Sequence, residues 1–256
     1  MSVELLDNTR RIEKLLHEYS APRIEFSDIC RVMSDILRSD VYVIGQRGRV
    51  LGSGVVPGEA MIPDLASAVT GSRLDQKINQ RLANTLSTSE NTDPQLLGIE
   101  NPNSCRCLIS PVILSGSRLG TLLVTYRDKV LSIDDIIICE FGATVIGMEI
   151  FRSLKEEKAA DLRSEQNVKA VLETLSRSEM TALRAVLSRV KDGNQVIVGT
   201  ALADSIGVAR ASVVNALKKC VSAGILETKS GGRAGTSIRV INEKIYDVLH
   251  DRPEGN

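Results

Sequence analysis

Between residues 199 and 224 the chain reads GTALADSIGVARASVVNALKKCVSAG, and three residues keep a demanding spacing: Ala203, Gly207 four positions on, and Val213 six beyond that. Two short helices that cross closely need a small residue at the crossing, a residue tolerant of positive φ at the turn, and apolar residues on both sides. Ala203, Gly207 and Val213 meet those needs in order, and Leu202, Ile206, Val208 and Ala216 or Leu217 fill the remaining core positions. Thr200 is placed to cap the first helix. The pattern predicts a helix-turn-helix whose second helix, about 209–221, buries Val213, Val214 and Leu217. That helix then exposes Arg210, Ser212, Asn215, Lys218 and Lys219, types that meet base edges and phosphates in a DNA major groove.

Downstream, ILET (225–228) and SIRV (237–240) read as two short strands joined by KSGGRAG (229–235). Gly231, Gly232 and Gly235 would let the backbone approach a duplex closely, with Arg233 reaching its minor groove or phosphates. This is the plan of a winged helix-turn-helix. From Gly207 to Arg239 there are six basic residues against one acidic, Glu227. A helical hairpin with solvated charges would account for the turn alone, whereas turn, wing and charge together point to DNA binding.

Other candidate chemistry is thinner. GGRAGT (231–236) lacks the Lys-Ser/Thr ending of a phosphate loop, so a wing fits it better than a nucleotide cradle. Cys105-Arg106-Cys107 has the makings of a redox pair, or of two thiols that are simply buried. His17 and His250 are the only histidines and stand at opposite ends of the chain. No paired-carboxylate constellation stands out, so neither catalytic residues nor a metal site are expected.

The elements that position these residues follow from periodicity. Ile12, Leu15, Leu16 and Tyr19, then Ile29, Val32, Met33 and Ile36, recur at three- and four-residue intervals, which predicts two helices broken at Ala21-Pro22. VYVIG (41–45), RVLGSGVV (49–56), CLISPVILS (107–115) and LGTLLVTY (119–126) read as strands, with hairpin turns at Gln46-Arg47-Gly48 and Gly116-Ser117-Arg118. The Ser-, Thr-, Asn- and Pro-rich stretch 87–104 reads as a long loop. A long helix starts near Ser132, where Ser132 and Asp135 form a capping pair, and its apolar face runs through Ile138, Phe141, Val145, Met148, Phe151 and Leu154. Its charged continuation, 154–167, is either a solvated connector or a dimer seam. A further helix starts at Ser178-Glu179, carries Leu183, Val186, Leu187 and Val190, and ends near Asp192-Gly193-Asn194. The fold class is therefore α+β: an antiparallel sheet with helices over 1–133, a linker helix region over 134–177, and a winged helix-turn-helix over 178–256.

Composition agrees. The 256 residues are 43% hydrophobic and 25% charged, which excludes a disordered chain and a membrane protein. Aromatics make up 3% and Trp is absent, so Ile, Val, Leu and Ala must build the cores. The formal net charge of zero divides into −4 over 1–150, +1 over 151–177 and +3 over 178–256. Five cysteines without a C-x-x-C pair argue against a disulfide framework and a tetrahedral zinc site. The amphipathic start MSVELLDNTRRIEKLL lacks the features of a secretory leader, and no apolar run approaches the ~20 residues that span a bilayer, so a cytoplasmic protein with no membrane partner is expected.

Four stretches, SRLGTLLV (117–124), EFGATVIGMEIFR (140–152), SVVNALKK (212–219) and SAGILETKSGGRAGTSIRVIN (222–242), resemble the CodY family of nutrient-responsive transcriptional repressors, and the likeness runs in order along essentially the whole chain. The resemblance implies an effector-binding GAF domain, a linker helix and a winged helix-turn-helix. It also implies branched-chain amino acids and GTP as effectors, a double-stranded DNA operator as partner, and a homodimer or higher homo-oligomer. Tyr42 matches the family's aromatic pocket position, and Leu74, Ile78, Leu97 and Ile99 align with further apolar pocket positions. Met61-Ile62-Pro63-Asp64 stands where the family's carboxylate-anchoring Arg falls, and Leu74-Asp75 where an aromatic-Pro pair falls. A free carboxylate is costly to bury without a cation, so isoleucine is expected to bind weakly or not at all unless Arg73 or Arg81 substitutes. Two alternatives follow: a regulator of this architecture that senses a different small molecule, and a free-methionine sulfoxide reductase-like GAF enzyme with Cys105 and Cys107 as nucleophile and resolver.

Overall fold

The structure, a computed structural model, describes residues 3–18, 25–57, 65, 70–100, 104–190, 195–197, 199–231 and 235–251. The chain divides into two compact units, Met1–Leu154 and Lys155–Asn256.

In the first unit, helices α1 (Val3–Glu18) and α2 (Phe26–Leu37) precede strands β1 (Asp40–Gly45) and β2 (Val50–Gly54). Helix α3 (Gln76–Ala83), strand β3 (Ser89–Thr92), the short helix α4 (Pro94–Leu97), and strands β4 (Arg106–Leu114) and β5 (Ser117–Tyr126) follow. The five strands form one antiparallel sheet in the order β2-β1-β5-β4-β3. Side chains alternate along each strand, so each face of the sheet carries its own set. Val41, Val43, Leu108, Val112, Leu122 and Val124 face a core shared with α1, α2 and the start of α5 (Ile133–Glu173). Tyr42, Ile44, Val50, Cys107, Ile109 and Leu123 face a second core with Leu82 of α3 and Leu97 of α4. Because both faces are covered, β1 and β5 read as nearly unbroken apolar runs rather than alternating ones. Helix α2 lies directly on β2, where a Cβ added at Gly52 or Gly54 would run into the α2 backbone at Phe26 or Cys30.

The polar stretch 87–104 is not wholly loop. Ser89 and Thr92 pair with Ile109 and Cys107, and Pro94 opens α4 with the Asp93 carboxylate accepting from the Gln95 N–H at 3.0 Å. An edge strand with half-exposed side chains and a one-turn helix are made from the same Ser, Thr, Asp and Pro that mark loops. The β4–β5 turn is at Ser115-Gly116, both with positive φ, one residue earlier than expected, and Arg118 instead lies in β5. Arg118 donates to the carbonyls of Leu82 and Thr85 and to the Thr121 hydroxyl, tying β5 to the end of α3.

Helix α5 starts where the Ser132–Asp135 pair predicts it: Asp135 N–H donates to Ser132 Oγ at 3.1 Å, and Ser132 N–H donates to the Asp135 carboxylate at 2.8 Å. Its buried side is not the predicted one throughout. Ile138, Cys139, Ala143, Val145, Ile146 and Ile150 are buried, while Met148 and Leu154 are each 50% exposed. The stripe that packs recurs at 139, 143, 146 and 150, which places Met148 on the outer side.

In the second unit, α6 (Arg177–Arg189), β6 (Gln195–Ile197), α7 (Gly199–Ile206), α8 (Arg210–Ser222), β7 (Leu226–Ser230), β8 (Thr236–Val240) and α9 (Lys244–His250) surround one core. Val168 and Leu172, near the end of α5, are part of that core. Three antiparallel strands run in the order β6-β8-β7, one more than the two strands the sequence pattern predicts, the addition being β6. Helix α6 begins at Arg177, one residue ahead of expectation, in a full capping box of Ser176 with Glu179. Thr200 lies inside α7 rather than at its cap. Among the described residues no helix is long and apolar enough to cross a membrane.

Candidate DNA-reading surface and effector core

Helices α7 and α8 join through Gly207, whose φ of +70° is the left-handed conformation the turn requires. Val208 N–H donates to the Ala203 carbonyl at 3.1 Å and closes the end of α7. Ala203 and Val213 are 2% and 1% exposed, so the small residue and its partner do meet in the core, along with Leu202, Ala216 and Cys220.

What remains on the outside of α8 is the surface that could meet a partner. Arg210 occupies the first helical position, and Ala211, Asn215 and Lys218 follow, all exposed. Val214, expected in the core, is 37% exposed, as is Val221. Spacings of three and four residues line up Ala211, Val214, Asn215, Lys218 and Val221 on one side. Ala209 at the N-cap offers no side-chain hydrogen bond to the first turn of α8, where the Ser212 N–H donates to the Ala209 carbonyl at 2.9 Å.

Two predicted contact residues are turned the other way. Lys219 Nζ donates to the Glu179 carboxylate at 2.8 Å and to the Thr174 carbonyl at 2.9 Å, both on the inner side of α8. Ser212 Oγ donates to Ser178 Oγ at 3.1 Å. Sequence position placed both on the recognition helix, but the side they take depends on what α6 offers, a contact across more than 30 residues. At the base of the wing, Arg239 pairs with Glu227 at 2.8 Å across the β7–β8 register. Arg210, Lys218 and Lys229 remain exposed, and no ion pair engages them among the described residues. Gly231 N–H donates to the Gly235 carbonyl at 2.7 Å, and Arg233, proposed for the wing tip, lies outside the described residues.

The five pocket residues expected in the first unit come together. Tyr42, Leu97 and Ile99 are buried in the second core, and Leu74 and Ile78 are half-buried against it. Leu65, Leu82, Cys105, Cys107, Ile109 and Leu123 complete the cluster. Residues 61–64, where the family's anchoring Arg falls, lie outside the described residues. Arg73 and Arg81 are both exposed, and Arg81 lies against Gly98 at the end of α4. Burial raises the pKa of the Cys107 thiol strongly and of the Cys105 thiol to a lesser degree, with Asp40 adding to the latter and Arg127 opposing it. Thiols held protonated are poor nucleophiles, which weighs against the reductase reading. Among the described residues no group of His, Cys, Asp and Glu side chains is arranged to hold a metal ion.

Known proteins resemble the chain along its length. The family model for the CodY GAF-like domain matches residues 4–174, and that for the CodY helix-turn-helix domain matches residues 196–252. A global transcriptional regulator CodY from Clostridium perfringens (strain SM101 / Type A) is 34% identical over 260 residues, covering 96% of this chain and 97% of the relative. Another from Clostridium botulinum (strain Eklund 17B / Type B) is 34% identical over 252 residues, with the same shares. The cofactor-binding GAF domain of the nutrient sensor CodY from Clostridium difficile is 27% identical, with a TM-score of 0.44 over 59% of this chain and 99% of that one. The chain belongs to the CodY family of global transcriptional regulators.

Proposed function

We propose that this regulator is a homodimeric, effector-responsive repressor that lays α8 in the major groove of an operator and its wing over the adjacent backbone. Arg210 and Asn215 would read base edges, Lys218 would meet phosphate, and Val214 would lie against a thymine methyl group. The uncapped start of α8 suits a phosphate, since a helix N-terminus attracts anions. Arg233 would enter the minor groove. Lys219 and Ser212 leave the contact set, because each is already engaged with the α5–α6 junction. The observation that carries the reading is the outward side of α8, which presents Arg210, Asn215 and Lys218 together beside a Gly-rich hairpin.

An effector bound in the first unit would favour one conformation, and so shift the population of dimers whose two reading heads match the half-site spacing. The family's effectors, branched-chain amino acids and GTP, are the first candidates, and isoleucine is expected to bind weakly or not at all. Exposure of Arg73 and Arg81 supports a different small molecule as the ligand. The test is selection of duplexes from a random-sequence pool by the full chain. A recurrent inverted repeat with half-sites about 10 base pairs apart supports the reading, and recovery of unrelated sequences contradicts it.

A further inference from the structure

Ser212, Asn215 and Lys219 recur at intervals of three and four along one flank of α8. The two ends of that line are tied to the element alongside: Ser212 Oγ donates to Ser178 Oγ at 3.1 Å, and Lys219 Nζ donates to the Glu179 carboxylate at 2.8 Å. Asn215, between them, stays exposed. The first turn of α6 therefore lies beside the flank of α8 that carries Asn215.

That turn offers two groups to a partner. Arg177 is exposed, and no ion pair engages it among the described residues. Ser178 is exposed too, but its hydroxyl is held in place: Oγ accepts from Ser212 and lies 3.2 Å from Ser176 Oγ, which can donate to it. A serine hydroxyl has one proton and two lone pairs, so with both lone pairs taken the Ser178 proton is left for an outside acceptor. Capping α6 needs neither side chain, since Ser176 and Glu179 close its start between themselves. The carboxylate in the turn, Glu179, is neutralised by Lys219.

A major groove is about 12 Å wide and a helix with its side chains about 10–12 Å across, so a helix laid in the groove fills it. An element packed on the flank of that helix meets the sugar–phosphate backbone that walls the groove. A phosphodiester has two free oxygens, which can accept from a guanidinium and a hydroxyl together. We propose that Arg177 and Ser178 bind one phosphate of the operator strand bordering the groove that α8 occupies, and that Ser212 is the positioning residue that holds Ser178 for it. The inference rests on the reading of α8 as the helix in the groove. It adds a contact from α6, outside the helix-turn-helix and the wing, that fixes how far α8 is turned toward its Asn215 flank.

The test measures the affinity of the full chain for its selected duplex against salt concentration, and repeats it with duplexes in which single phosphates are replaced by uncharged methylphosphonates. Arg177→Ala and Ser178→Ala remove exposed groups outside the capping box and should melt with the wild type. Arg177→Ala should weaken binding to selected and unrelated duplexes alike, by about three- to tenfold near physiological salt, and flatten the salt slope by about 1. Ser178→Ala should weaken it about two- to fivefold with the slope unchanged, since a hydroxyl carries no charge. One neutralised phosphate beside each half-site should weaken the wild type and add nothing to Arg177→Ala. Wild-type affinity in Arg177→Ala and Ser178→Ala, with Arg210→Ala and Lys218→Ala impaired, overturns the proposal and leaves the groove reading standing. A loss in Arg177→Ala that adds in full to that from every neutralised phosphate also overturns it, because the charge would then act at a distance and touch no phosphate. If Arg210→Ala and Lys218→Ala are unimpaired as well, the groove reading fails with it.

Discussion

The Nζ of Lys219 lies 2.8 Å from the carboxylate of Glu179, so the recognition helix is held from behind by the residue that also completes the α6 capping box. Glu179 accepts from the Ser176 N–H at 2.8 Å at the same time, and Lys219 reaches the Thr174 carbonyl. One ion pair thus joins the end of α5, the start of α6 and the middle of α8. With Lys219 39% exposed, solvent screening holds the expected loss in Lys219→Met to about 1 kcal/mol of folding stability.

The same pair sets a pH dependence. The Lys219 hydrogen bond first, and then that from the Ser176 N–H, lower the Glu179 pKa below its ordinary value. A depressed folded-state pKa gives stability that is present above the unfolded value, about 4.3, and is lost as pH falls through the folded one. Denaturant melts of wild type and Glu179→Gln should therefore differ at pH 7 and converge as pH drops well below 4.3. A difference that stays constant down to acid pH would show that Glu179 acts by packing alone.

Gly207 has open space around it, so no clash opposes a methyl group there, and only its φ of +70° does. Gly207→Ala should cost about 1 kcal/mol, while Gly207→Asn, which tolerates the left-handed region better, should cost less. Equal stability of Ala and Gly in urea unfolding would mean that the turn relaxes out of that conformation.

Much of this was legible in the sequence because it is local. The Ala203, Gly207 and Val213 spacing specifies the crossing, and strand periodicity specifies the sheet. The aromatic and apolar residues expected around Tyr42 meet in one cluster. What was not legible depends on distant partners. Lys219 and Lys218 are adjacent basic residues on the same helix, and only Glu179 and Thr174, some 40 residues away, turn one inward. Val214 is apolar and so reads as a core residue, but Val213, Ala216 and Cys220 fill the inner side of α8 and Val214 is 37% exposed. Strand β6 is three residues long and exists through its pairing with β8, which no local pattern announces.

All five cysteines are buried. Burial pushes Cys30 and Cys139 up to about 12 and Cys220 up to about 11, with Cys107 raised further still. Alkylation of the native protein at pH 8 is expected to be slow and to accelerate in step with unfolding as denaturant is added. DNA affinity should be unchanged after exposure to the reagent under native conditions. Rapid native labelling of Cys105 or Cys107 would restore the case for thiol chemistry.

The outward side of α8 is tested most directly by measuring affinity for a selected duplex against salt concentration in wild type, Arg210→Ala, Lys218→Ala and Lys219→Met. Arg210→Ala should cost about 1–3 kcal/mol and relax discrimination at one base position, and Lys218→Ala should weaken all sequences alike and flatten the salt slope by about 1. Lys219→Met should leave that slope unchanged at temperatures where the variant is folded. Wild-type affinity and slope in the Arg210→Ala, Lys218→Ala double variant, or a slope lost on replacing Lys219, would contradict the account.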